Sequence, residues 1–232
     1  MATIATFRQQ MLDVVEERHC KRHPLTDAWA KGELSREQMG RWAIEHWHYT
    51  HDLHTFFGRI LANCDQQEGR VMELDNLADE QNEDDPHTHQ LLDFVDACGL
   101  DASLTERPPL PTTQALRDWL LLLCEKRSWQ EAAAGLHVGM EAQLSPICDR
   151  LIPALRDHHG FDERSIRFFV THQTADLEHG GRALAAAEKY TPDALRPKVI
   201  QAVREGTEKR WLYFDGVYVR WVMGYNLGQQ PD

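Results

Sequence analysis

The stretch THQTADLEH at 171–179 sets His172, Asp176 and His179 at spacings of four and three residues. Spacings of four and seven return to nearly the same side of a helix, so all three groups share one face while Glu178 points elsewhere. A solvated polar face is the plain alternative. Two further segments weigh against it. Glu80 in LADEQNEDDPHTH precedes His87 by seven residues, close to two helical turns, and Glu141 in GLHVGMEAQLSP is a carboxylate among small and apolar residues. A lone charge on an apolar helix is costly unless it is paired or bound to a cation. Glu80, His87, Glu141, His172, Asp176 and His179 together offer three imidazoles and three carboxylates with no sulfur. Mixed donors of this kind suit iron, with manganese an alternative to one iron, and six ligands are enough for two ions sharing a carboxylate.

A second run, EHWHYTHDLHTFF at 45–57, is denser in histidine: His46, His48, His51 and His54. His48, His51 and His54 form a sloping strip with steps of about 60°, and His46 points nearly opposite His48. No pair has the four-residue spacing that suits two ligands on one helix face. The expectation is therefore that His48, His51 and His54 line a substrate pocket or support the ligands, titrating near neutral pH, rather than bind metal. Glu83, one turn after Glu80, reads first as a surface acid, with an alternative ligand or carboxylate-shift partner as the other reading. Most aromatics read as core, with Tyr49 and Tyr218 the two that could extend into a pocket. Cys148 reads as a buried, inert thiol. HVGM and GYNLGQ lack the glycine spacing and preceding strand of a phosphate loop.

These residues need helices to carry them. Strand signals are nearly absent, and apolar residues recur at three- and four-residue intervals, as in Phe7, Met11, Val14 and Val15. Ser35 and Gln38 form a capping box that predicts a long helix through the histidine run to about residue 63. Further helices are expected over about 70–84, where Pro86 disfavours continuation, and from about 87 to Gly99. Others follow over 113–125, 128–151 with a stop at Pro153, 162–189, and 192–224 with Thr191-Pro192 as cap and first turn. The expected architecture is a single all-α domain over residues 1–232, with an ordered core over about 5–225, built as a bundle of seven or eight helices.

Composition narrows the functions open to such a bundle. The chain has 232 residues, 25 basic and 37 acidic, for a formal charge of -12. That charge repels phosphate backbones and anionic lipid, so no nucleic-acid or membrane partner is expected. The apolar run WLLLLC is far short of a membrane span, and the N-terminus lacks an export-signal pattern, which together predict a cytoplasmic protein. Five widely spaced cysteines, with no C-x-x-C pair, predict reduced thiols.

The order Glu80, His87, Glu141, His172, Asp176, His179 resembles the ligand signature of the heme-oxygenase-like diiron oxidases and oxygenases, particularly the CADD-like group of the folate pathway. WAKGELSREQM at 29–39, LDNLADEQ at 74–81 and LLDFVDACGL at 91–100 extend the likeness over most of the chain. The resemblance implies a fold shared with heme oxygenase, thiaminase II and the cofactor-independent oxidase that completes pyrroloquinoline quinone. It also implies two ferrous ions, dioxygen as cosubstrate and those six residues as ligands, with Glu141 the candidate bridge. A homodimer, an external electron donor and a small-molecule substrate, amine or amino-acid derived, are further implications.

The sequence also departs from that group. CADD-like enzymes that make para-aminobenzoate consume one of their own tyrosines, helped by other tyrosines and a lysine. Those positions here hold Thr26, Met140, Phe168 and Leu151, which favours an external substrate. Three alternatives stand beside the main reading: a CADD-like para-aminobenzoate synthase, a metal-independent oxidase of the quinone-forming type, and a non-catalytic helical interaction protein.

Overall fold

The computed structural model describes residues 5–226, and helices are the only regular elements among them. In order these are α1 (Phe7–Glu17), α2 (Pro24–Ala30), α3 (Arg36–Thr50), α4 (Leu53–Asn63), α5 (Gln67–Glu80) and α6 (His87–Ala97). They continue with α7 (Pro111–Lys126), α8 (Trp129–Ala133), α9 (Leu144–Asp157), α10 (Arg167–His172), α11 (Ala175–Tyr190) and α12 (Arg196–Val217). The expected capping box starts α3: Gln38 N–H donates to Ser35 Oγ, and Ser35 N–H to Gln38 Oε1.

Three expected long helices are interrupted, which is why the described residues hold more and shorter segments than the seven or eight foreseen. The first breaks at Asp52, whose carboxylate is held by Arg117 of α7 at 2.7 Å. Between α8 and α9 the chain widens into a π-helical turn, Ala134–Val138, then tightens into a 3₁₀ turn, Glu141–Gln143. Between α10 and α11, at residues 173–174, Ser145 Oγ donates to the Gln173 carbonyl at 2.7 Å.

Proline placement corrects two boundaries. Pro153 lies inside α9 rather than ending it; the carbonyl it leaves without a donor belongs to Asp149, on the exposed side. The last helix starts at Arg196, not Pro192. A start at Pro192 would require Pro197 to donate to the Asp193 carbonyl, and proline has no N–H. Instead the Pro192 carbonyl closes a turn with Leu195, and Pro197 sits in the first turn, where a missing donor costs little.

One continuous apolar core joins these elements. Trp29, Trp42, Phe94 and Phe169 meet within it, with Trp42 and Phe169 stacked at 5.7 Å and Phe94 and Phe169 edge to face at 4.9 Å. That packing seats α10, and with it His172. On the other side, α12 meets the π-helical turn backbone to backbone: a Cβ on Gly206 would stand 2.3 Å from the Gly135 carbonyl oxygen. A Cβ on Gly139 would stand 2.8 Å from the Val203 carbonyl oxygen, so only glycine permits this approach. All five cysteines are free and buried. No helix among the described residues is long and apolar enough to cross a membrane.

Candidate metal centre

Glu80 is the last residue of α5 and His87 the first of α6. Their proximity comes from the turn over residues 81–86, not from a shared helix face as the seven-residue spacing suggests. His87 Nδ1 lies 3.1 Å from Glu80 Oε2. The α10–α11 interruption leaves His172 on one segment and Asp176 and His179 on the next, yet all three still face inward. Single donor atoms of Glu80, His87 and His172 lie within 4.8 Å of one another, as do those of Glu80, Asp176 and His179. Glu80 is common to both groups. Glu141 joins the second, its Oε2 standing 3.9 Å from His179 Nδ1.

The six side chains are buried, and three of their polar atoms have no hydrogen-bond partner: Glu141 Oε1, Asp176 Oδ2 and His179 Nδ1. Idle donors and acceptors in a buried cluster are costly unless a ligand takes them up. The opposite edges of two imidazoles are fixed. His172 Nδ1 meets the Phe168 carbonyl at 2.8 Å, and His179 Nε2 meets Asp79 Oδ2 at 3.1 Å, leaving His172 Nε2 and His179 Nδ1 for an ion. Oxygen and nitrogen donors with these free atoms fit divalent iron.

Charge tells the same story. Burial raises the Asp176 pKa well above the carboxylate range, and the charges of Glu141 and Glu80 push it further. Burial and the His87 charge push His172 well down, so its ring is neutral. At His87 burial acts to lower the pKa, but the Glu80 carboxylate outweighs it and the net shift is upward. A cation entering here would displace the proton on Asp176 and relieve the repulsion among the acids.

Sequence reasoning missed the support beneath Glu141. His137, fully buried on the π-helical turn, pairs through Nδ1 with Glu141 Oε2 at 2.6 Å and through Nε2 with Glu73 Oε1 at 3.0 Å. Burial opposes its protonation, yet the charges of Glu73 and Glu141 raise its pKa to about 10, so both nitrogens donate at neutral pH. Burial likewise acts to raise the Glu141 pKa, and His137 reverses the sign. Two spacings carried the signal: His137 and Glu141 are four apart, and Glu73 and Glu80 seven apart on α5. A π-helical turn at such a place is a recurrent functional device.

The histidine run of α3 is placed otherwise than expected. His51 is exposed and stacks on Trp47 at 4.4 Å; His54, also exposed, turns its Nδ1 to the His51 carbonyl. His48 is buried, but in a small recess with Arg41, Glu45, Arg107 and Trp221. The ring that turns toward the cluster is His46, 5.5 Å from Phe168, which is 4.1 Å from His172. The helical angle that separates His46 from His48 is the reason, since one side of α3 packs inward and the other outward. Tyr49 goes with His46: its hydroxyl is 3.1 Å from His46 Nε2. Glu83 is exposed, and Tyr218 packs near His23, away from the cluster. Thr26 Oγ1 donates to the Cys20 carbonyl, and Met140, Leu151 and Phe168 are buried.

Residues 40–213 match the family model described as iron-containing redox enzyme. A 4-aminobenzoate synthase of Nitrosomonas europaea is 30% identical over 226 residues, covering 92% of this chain and 91% of the relative. A pyrroloquinoline-quinone synthase of Granulibacter bethesdensis is 26% identical over 220 residues, with 91% and 84% covered. Among solved structures, a domain of unknown function with a heme oxygenase-like fold from Shewanella denitrificans superposes with a TM-score of 0.80 at 13% identity, covering 99% of this chain and 100% of that one. The fold is heme oxygenase-like, and the chain belongs to the family of iron-containing redox enzymes.

Proposed function

We propose that this protein is a dioxygen-dependent, non-heme diiron oxidase or oxygenase acting on a small external metabolite. The observation that carries the reading is the pair of buried donor groups sharing Glu80, with acceptor atoms that nothing in the protein satisfies. Glu80, His87 and His172 would hold one ion, and Glu80, Asp176, His179 and Glu141 the other. Glu80, common to both groups, would help hold both ions, whereas His137 already occupies Glu141 Oε2. Bound ferrous ions would supply electrons to dioxygen, dioxygen would be the oxidant of the substrate, and an external electron donor would return the ions to the ferrous state.

The rest of the chemistry falls to the chain. Glu73 orients His137, and His137 holds Glu141 at Oε2, leaving Oε1 without a partner in the protein. Asp79 and the Phe168 carbonyl fix the rings of His179 and His172. Phe168, its ring 4.1 Å from that of His172, contributes apolar surface that excludes water.

A second reading, formation of 4-aminobenzoate, is favoured by the Nitrosomonas europaea relative. Against it stands Thr26, whose hydroxyl is committed to a backbone carbonyl and which has no ring to give up. Anaerobic loading with ferrous iron, then oxygen in the presence of ascorbate as electron donor, with and without small amines and carboxylic acids, separates the two. The external-substrate reading expects oxygen uptake that continues over many turnovers and leaves the mass of the chain unchanged. A single turnover accompanied by a loss of chain mass would replace it with the second reading, and full activity in strong chelator would remove iron from both.

A further inference from the structure

Arg210, on α12, is 1% exposed, and no carboxylate lies within salt-bridge distance of it among the described residues. Its Nη1 reaches the Tyr49 hydroxyl at 3.5 Å, while Nε and Nη2 make no hydrogen bond. An ionised guanidinium buried with two idle donors is an expensive arrangement for a protein to keep.

The surroundings give it a direction. Tyr49 and Tyr213 present hydroxyls 3.1 Å and 3.3 Å from ring nitrogens of His46, and the His46 ring packs on Phe168, which in turn packs on His172. Arg210, Tyr49 and Tyr213 thus form a buried polar cluster separated from a candidate ligand, His172, by the rings of His46 and Phe168. Were Arg210 only a counter-charge for the acids, its free donors would be expected on Asp176 Oδ2 or Glu141 Oε1. Those two acceptors are themselves unpartnered. Donors idle on one side and acceptors idle on the other fit two different occupants: cations between the carboxylates, and an anion on the guanidinium.

We propose that Arg210, assisted by the Tyr49 and Tyr213 hydroxyls, binds the carboxylate of the substrate, so that the oxidase acts on small carboxylic acids. This rests on the oxidase reading of the same site and names its substrate class. The planar fork of Arg210 offers Nε and Nη2 to two carboxylate oxygens, a match that a lysine does not reproduce. Such a grip would direct the rest of the acid past His46 and Phe168 toward the metal ligands.

The test compares acids with their neutral amides: benzoate with benzamide, and hexanoate with hexanamide. Binding is followed by tryptophan fluorescence on ferrous-loaded protein without oxygen, and again on metal-free protein. At least one acid should bind roughly tenfold or more tightly than its amide, as expected of a charged hydrogen-bonded pair. Arg210→Gln should bring that ratio to near one while leaving iron uptake in place, and Tyr49→Phe should reduce it in part. Should Arg210→Gln fail to fold, Arg210→Met, which removes the charge and keeps an unbranched apolar stem, reads the same ratio. Equal binding of acid and amide in every pair overturns the proposal, as does an acid preference that survives in a folded Arg210 variant, since the iron would then be holding the acid. Failure to take up iron strikes the oxidase reading alone, because the metal-free arm still measures the dependence on Arg210.

Discussion

The histidine run of α3 and the cluster formed by α5, α6, α10 and α11 are built from similar side chains, and only the second converges. Along α3, His46 faces inward, His48 faces a side recess, and His51 and His54 face out. In the cluster, residues up to 99 positions apart, Glu80 and His179, bring single donor atoms within 4.8 Å. A metal centre needs atoms around one point, and a single helix surface spreads its side chains outward from its axis. Density along the sequence is therefore a poor guide to a ligand set, while spacing on several helices is a better one.

The contrast can be broken at Glu80 first. Because Glu80 belongs to both donor groups, Glu80→Ala is expected to abolish iron retention, whereas His87→Ala and His179→Ala should each leave about half the wild-type content. Metal analysis after anaerobic loading measures the difference, and equal losses in all three would remove the shared role of Glu80.

The support under Glu141 comes next. His137→Gln and Glu73→Gln leave every proposed ligand in place, yet the loss of an orienting partner is expected to weaken metal affinity about 10–100-fold. Removing one member of a buried ion pair should also cost about 3–5 kcal/mol of stability in metal-free protein, read by urea denaturation.

Away from the cluster, His19 and His48 give a pH signature. Burial, with neighbouring cations, lowers the His19 pKa from 6.5 to about 3 and that of His48 to about 4. The unfolded chain binds these protons at higher pH than the folded one, so their contribution is present above pH 6.5 and is lost as pH falls toward 3. The Tm of metal-free protein should fall over that window, and His19→Asn should flatten the slope.

The smallest effect belongs to the exposed end of the histidine run. His51→Ala and His54→Ala should change stability by no more than about 0.5 kcal/mol and leave iron content at the wild-type level. A loss of iron in either would restore that run as part of the centre.

The fold was legible in the sequence because helical periodicity is local: the capping box at Ser35 and Gln38, and the stop at Gly99, lie where the spacing predicts them. What escaped were the interruptions, and each depends on a distant partner: Arg117 on Asp52, Ser145 on the Gln173 carbonyl, α12 against the π-helical turn. The candidate site divides in the same way. His172, Asp176 and His179 show their common face through spacing alone. His137 and Arg210 do not, because a single histidine or arginine in a helical pattern reads as surface until burial is known. His46 was legible as pointing away from His48, but nothing in the sequence said which of the two directions was inward.

Iron stoichiometry tests the central claim most directly. Metal-free protein loaded anaerobically with ferrous iron, desalted and analysed should hold about two irons per chain and should consume dioxygen when exposed to it. Retention of no iron, together with unchanged oxygen consumption in strong chelator, would contradict the account.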